Sequence, residues 1–120
     1  MGNTALKRAG MLGTILQVAL VVLGHFRPSL QTAGLFPIGG SAIGAIAGFC
    51  YARWSPGVSV GRAMGGGAMA GAVGGFLGST VSYLLKDVPP STILVACGST
   101  LVTGLLGGLV GRLLPARSTA

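Results

Sequence analysis

Acidic side chains are almost missing from this sequence. Among its 120 residues, Asp87 carries the only side-chain carboxylate and His25 the only imidazole. Paired-carboxylate catalysis needs a second acid. A metal centre needs His, Cys, Asp or Glu at ligand spacing, which His25, Asp87, Cys50 and Cys97 do not have. The sequence therefore predicts no enzyme, no bound metal and no cofactor. Charge of any sign is scarce as well. Charged residues make up 8% of the chain, against roughly 25% in an ordinary soluble domain, too few to cover a water-facing surface. Disorder is excluded because it needs low hydrophobicity and high charge. A collagen-like chain is excluded because the glycines follow no three-residue period.

What is present is apolar and small. The chain is 51% hydrophobic with 23 glycines, and its mean hydropathy is +0.81. Charges and prolines cut it into four apolar blocks. Lys7 and Arg8 precede residues 9–26, and Arg27-Pro28 ends them; residues 33–52 stop at Arg53-Trp54. Residues 63–85 stop at Lys86-Asp87, and residues 91–111 lie between Pro89-Pro90 and Arg112. At 1.5 Å per residue such blocks are roughly 27–35 Å long, enough for a hydrocarbon core of about 30 Å. Only helices satisfy the backbone internally without a closed barrel, and no strand-like alternation occurs. The expectation is an all-α integral membrane protein, one domain over residues 1–120, with four transmembrane helices at about 9–26, 33–52, 57–85 and 91–113.

Local signals set the expected ends. Ser55-Pro56 reads as an N-cap followed by a first-turn proline, which starts the third helix at about residue 57. Ser91 or Thr92 is the expected cap of the fourth. Pro37 is expected in the first turn of the second helix or at a kink there. Gly24-His25-Phe26 is a poor small-residue cleavage site, so the first span is expected to be a retained helix and not a signal peptide.

The basic residues carry orientation. Four spans put Lys7, Arg8, Arg53, Arg62, Arg112 and Arg117 on one side and Arg27 and Lys86 on the other. The excess of Lys and Arg marks the cytoplasmic side, so both termini are expected in the cytoplasm. The net charge of +7 is thus a topology signal in contact with anionic headgroups. No basic helix or aromatic stacking platform accompanies it, so nucleic acid is not an expected partner.

Glycine spacing is the strongest pattern. Nine glycine pairs stand four residues apart, the small-xxx-small arrangement that lets transmembrane helices approach closely. Three runs form full zippers: Gly40-Gly44-Gly48, Gly57-Gly61-Gly65 and Gly67-Gly71-Gly75. Gly104 and Gly108, with Gly107 and Gly111, extend the pattern to the last helix. The second and third helices are expected to pack on each other through these faces. The first helix, rich in Leu, Ile and Val, is expected at the lipid-facing periphery. Residues 39–49 also parallel residues 66–76 at an offset of 27. On oppositely oriented helices this would be an inverted repeat, as found in transporters; a shared packing requirement produces the same similarity.

Polar side chains inside the blocks include Thr14, Gln17, Ser41, Ser79, Thr80, Ser82, Tyr83, Ser99, Thr100 and Thr103. Interhelical hydrogen bonding accounts for them; the functional reading has Ser79, Thr80, Ser82, Thr100 and Thr103 line a polar path between the third and fourth helices. His25 and Asp87 can meet if the ends of the first and third helices adjoin, but the expectation is that each sits separately at the headgroup boundary. Cys50 and Cys97 lie at different depths and are expected to pack as small apolar groups; palmitoylation is the alternative for Cys50. The run at residues 65–71 lacks the preceding strand and the Lys-Ser/Thr of a phosphate loop.

Small multidrug exporters depend on a membrane glutamate, which this chain lacks. Small fluoride channels carry a membrane asparagine and a Thr/Phe/Ser run, which are absent too. Over residues 39–78 the chain is similar to glycine-rich four-span proteins of prokaryotes, a resemblance that implies an inner-membrane location and no particular activity. The expected function is a structural or accessory module packing through glycine faces, as a homo-oligomer or a subunit of a larger membrane complex. A small channel or carrier for a neutral or anionic solute is the alternative, and a holin-like permeabilising protein the third.

Overall fold

The computed structural model describes residues 2–32 and 34–114. Met1, Ala33 and residues 115–120, Arg117 and Pro115 among them, lie outside it. The described residues are all-helical, without a strand: α1 (Gly2–Phe26), the short α2 (Pro28–Thr32), a π-helical turn (Leu35–Gly39), α3 (Gly40–Arg53), α4 (Val60–Leu84) and α5 (Ser91–Leu113).

Three helices are long and apolar enough to cross a membrane: Thr4–Phe26, Leu35–Arg53 and Ser91–Leu113. At 25 residues α4 would be about 37 Å long. It is less apolar, because eight of its residues are glycine and one is Arg62. Side-chain size is distributed inversely to a water-soluble protein. Ala5, Ala9, Ala47, Ala63 and Ala70 are buried, whereas Met11, Ile15, Phe26, Leu94, Val95 and Leu106 are exposed. Large apolar groups on the outside and small ones inside suit a lipid surround, where packing rather than water exclusion holds helices together.

The helix ends depart from expectation for identifiable reasons. α1 continues back through Lys7 and Arg8 to Gly2; both side chains are exposed, and long basic stems at a helix end can carry their charge outward. α4 begins at Val60, later than expected. Gly57 has φ +85, a left-handed conformation that ends any helix there. The cap is instead Ser59, whose Oγ accepts the Arg62 N–H at 3.2 Å. Neither Ser91 nor Thr92 caps α5; Pro90 occupies that position with no side-chain cap. Pro37 lies inside the π-helical turn, where its missing N–H accompanies the local departure from α-helical bonding.

α5 lies against both α3 and α4, and α1 lies against α4 and α3. α1 and α4 run parallel: Gly13 adjoins Gly74 and Gln17 adjoins Gly78. One end of the molecule therefore holds Arg27 and Lys86, the other Arg53, Arg62 and Arg112.

Candidate functional site: a polar cavity in the Arg27-side half

The packing glycines create the site by setting where the helices close and where they separate. Gly104 of α5 is the point of tightest closure. A β-carbon on Gly48 or on Gly67 would run into the Gly104 carbonyl oxygen, and one on Gly104 into the Gly67 carbonyl. Gly71 is held equally close to the Thr100 carbonyl, Gly108 to Ala63 and Gly107 to Ala45. Gly44 and Gly75 abut the hydroxyls of Thr103 and Thr100, and Gly40 abuts the Gln17 amide. The stripes on α3 and α4 thus face α5, not each other as the sequence suggested. The reason is that α5 has its own small positions and wedges between them. α3 meets α4 through the Tyr51 ring lying over Gly66 and through the buried cluster of Ala47, Tyr51 and Ala70.

The run Gly57-Gly61-Gly65 behaves differently. A β-carbon on any of the three meets nothing within 4 Å, and Gly57 is not helical. Within one chain this run is not a packing face, because it lies in the connecting loop and on the exposed side of the first turns of α4.

Beyond Gly71 and Thr100, toward the Arg27 end, the helices part around a cavity of about 100 Å³. Its walls come from Gln17, Leu20 and Val21 of α1, Phe36 and Pro37 of the π-helical turn, and Gly40 and Ser41 of α3. Gly75, Ser79 and Ser82 of α4 and Val95, Ala96, Ser99 and Thr100 of α5 complete it. Among the described residues, no charged side chain lines it. Gln17 is only 5% exposed and donates from Nε2 to the Gly40 carbonyl at 3.0 Å, tying α1 to the start of α3. Ser79 donates to the Gly75 carbonyl at 2.5 Å, and Thr100 to the Ala96 carbonyl at 2.7 Å. These back-bonds leave hydroxyl lone pairs as acceptors. Ser82 is 2% exposed, and its Oγ has no hydrogen-bond partner among the described residues. A buried unpaired hydroxyl costs about 1–3 kcal/mol, which a polar occupant of the cavity would offset.

Of the five residues expected to line a polar path, Ser79, Ser82 and Thr100 come together here. Thr80 turns away from the cavity lining and back-bonds to the Phe76 carbonyl at 2.7 Å. Thr103 sits deeper, against Gly44, on the α3 side of α5. The path also proves wider than a space between α4 and α5, since α1, the π-helical turn and α3 together form half its wall. Gln17, Ser41 and Ser99 were the missed participants, Gln17 the most telling of them. Its signal was available: it has the only amide side chain within the apolar blocks, on a helix otherwise rich in aliphatic residues.

His25 and Asp87 meet, contrary to the expectation of separate positions. His25 Nδ1 lies 2.9 Å from Asp87 Oδ2. Two features bring them together. The parallel α1 and α4 end at the same level, and the chain reverses at once after α4. Lys86 N–H donates to Tyr83 O and Asp87 N–H to Ser82 O, a Schellman ending with Lys86 at φ +64 in the left-handed position usually taken by glycine. The same turn thus fixes Ser82 and aims Asp87 back at α1. The ring of Phe26 stacks edge-on against His25, and Phe36 closes over Gly24.

Cys50 and Cys97 are free thiols. Among the described residues no three His, Cys, Asp or Glu side chains come together to hold a metal. Compared with protein-family models, curated proteins and solved structures, the chain matches none of them.

Proposed function

We propose that this chain is a four-span membrane protein, a four-helix bundle closed by glycine-zipper contacts, that admits a small uncharged polar solute to the cavity between α1, α3, α4 and α5. One observation carries the reading: a cavity lined by Gln17, Ser79, Ser82, Ser99 and Thr100, holding the buried, unpartnered Ser82 hydroxyl, inside helices otherwise faced with small apolar groups. Hydroxyls and an amide offer both donors and acceptors. With no cation among the described residues of the lining, the solute is neutral and not anionic. At about 100 Å³ the space accepts several waters or one molecule of urea size. The tight closure at Gly48, Gly67 and Gly104 lies toward the other end, so passage requires α5 to move relative to α3 and α4, which fits a gated carrier better than an open pore. The basic residues support the orientation already inferred, with both termini cytoplasmic and the cavity on the opposite side, in a prokaryotic inner membrane.

Reconstitution into liposomes tests this. Light scattering after an osmotic step should report faster urea or water equilibration than in empty vesicles. Ser82→Ala and Gln17→Leu, which remove the hydroxyl and the amide, should abolish the excess. Equal rates with and without protein would refute the proposal.

A structural or accessory role is the second reading, favoured by the open glycines. Gly61 and Gly65 have no neighbour within 4 Å of a β-carbon and present a smooth strip on α4 to a second copy or a larger complex. Native mass measurement in mild detergent distinguishes a monomer from such an assembly.

A further inference from the structure

The opposite end of the molecule holds a second site that the solute reading does not use. A pocket of about 400 Å³ is lined by Ala52, Arg53, Ser55, Pro56, Gly57, Gly111, Arg112 and Leu114. It lies where the C-terminal ends of α3 and α5 meet the loop leading into α4. Both arginines are held in place. Arg53 Nη1 donates to the Leu114 carbonyl at 3.2 Å and to Gly111 at 3.5 Å, and its guanidinium lies 5.9 Å from the centre of the Phe49 ring. Arg112 Nε donates to the Val58 carbonyl at 2.5 Å. Fixing Arg112 through Nε leaves the two Nη groups as a pre-oriented pair of donors. Ser55 is 6% exposed, and its hydroxyl has no hydrogen-bond partner among the described residues.

Charge balance adds a second argument. The chain has one acidic side chain, and Asp87 is engaged with His25 at the far end. That leaves no side-chain carboxylate for Arg112. The carbonyl ends of α3 and α5 supply only about half a unit of negative charge each. The two Nη groups of Arg112 and the buried Ser55 hydroxyl, with a second guanidinium in the lining, make a receptor for a tetrahedral oxyanion.

We infer that this pocket binds a phosphate group, presented either by an anionic lipid headgroup or by a free phosphate ester. The Arg112 Nη groups and the Ser55 hydroxyl donate to its oxygens, and Arg53 adds positive charge to the same pocket. The pocket is wide enough to take the glycerol attached to the phosphate.

The test uses the full chain in mild detergent with native mass spectrometry. Phosphatidylglycerol is compared with diacylglycerol of the same acyl chains, which lacks the phosphate. Wild-type protein should retain phosphatidylglycerol and not diacylglycerol. Arg112→Gln should weaken retention about tenfold, the size expected for loss of a charge-assisted hydrogen bond. Ser55→Leu, which fills the pocket and keeps both arginines, should do the same, while Arg27→Gln at the other end should change nothing. Glycerol 3-phosphate as competitor separates the two sources: displacement assigns the site to a free ester, and persistence of the adduct assigns it to lipid. Equal retention of the two lipids overturns the inference. So does unchanged retention in both Arg112→Gln and Ser55→Leu, or an equal loss in Arg27→Gln, which would mean diffuse charge attraction.

Discussion

Replacing Gly71 with alanine adds one methyl group at the seam between α4 and α5. The new β-carbon would be driven into the Thr100 carbonyl oxygen, with Gly104 Cα at 3.1 Å behind it. Both obstacles are backbone, so no side-chain rotation relieves the clash. Restoring ordinary contact needs a displacement of α5 on the order of an ångström, and overpacking of that kind costs about 1–3 kcal/mol. α5 cannot shift at one point only, because Gly67, Gly104 and Gly108 lock the same seam against backbone atoms. The upper part of the range therefore applies. Alanine also improves helix propensity by up to about 1 kcal/mol, leaving a net loss of about 1–2 kcal/mol. Gly61→Ala, in the same helix, receives the same propensity gain and meets nothing within 4 Å. It should be neutral or stabilising by up to about 1 kcal/mol. The two variants should differ by about 2–3 kcal/mol, with opposite signs. Equilibrium unfolding in mixed micelles, titrated with sodium dodecyl sulfate and followed by far-ultraviolet circular dichroism, measures both. Equal midpoints for Gly71→Ala and Gly61→Ala would refute the assignment of the seam.

Two further predictions concern the Arg27 end. Lys86 occupies a left-handed position at φ +64, which costs a side-chain-bearing residue about 1–2 kcal/mol. Lys86→Gly should therefore raise the unfolding midpoint, by somewhat less than that amount because glycine gains freedom in the unfolded chain; a lowered midpoint would exclude the Schellman ending of α4. The His25–Asp87 contact should give a coupling energy of about 0.5–1.5 kcal/mol in a double-mutant cycle of His25→Gln and Asp87→Asn. Strictly additive single effects would mean that the two side chains do not interact.

The success of some sequence expectations and the failure of others follow from how local the physics is. Gly57 and Ser59 lie two residues apart, yet only backbone geometry reveals that the first breaks the helix and the second caps it. Ser55-Pro56 carries an equally good start signal, and the loop needed to turn α3 back into α4 consumes it. The glycine periodicity of Gly67-Gly71-Gly75 fixes which face of α4 is smooth. It contains no information about which helix lies against that face, because any small-residue stripe accepts any other. The cavity was half legible: Ser79, Ser82 and Thr100 share the inward side of their helices, whereas Thr80 is one position round the turn and points away. His25 and Asp87 are 62 residues apart, and nothing local links them.

Composition alone determined that this chain is helical and suited to lipid, because a sequence with 8% charged residues cannot cover itself in water and blocks of this length can span a bilayer only as helices. Near-absence of acid also determined that side-chain carboxylates would be too few to pair with the eight Lys and Arg residues. Tertiary structure decided which helices share the glycine seams, where those seams end, and hence where a polar cavity opens. It decided too that Arg53, Ser55 and Arg112 converge on one pocket. Those outcomes depend on which surfaces fit at backbone contact distance, a property of pairs of helices that no single segment encodes.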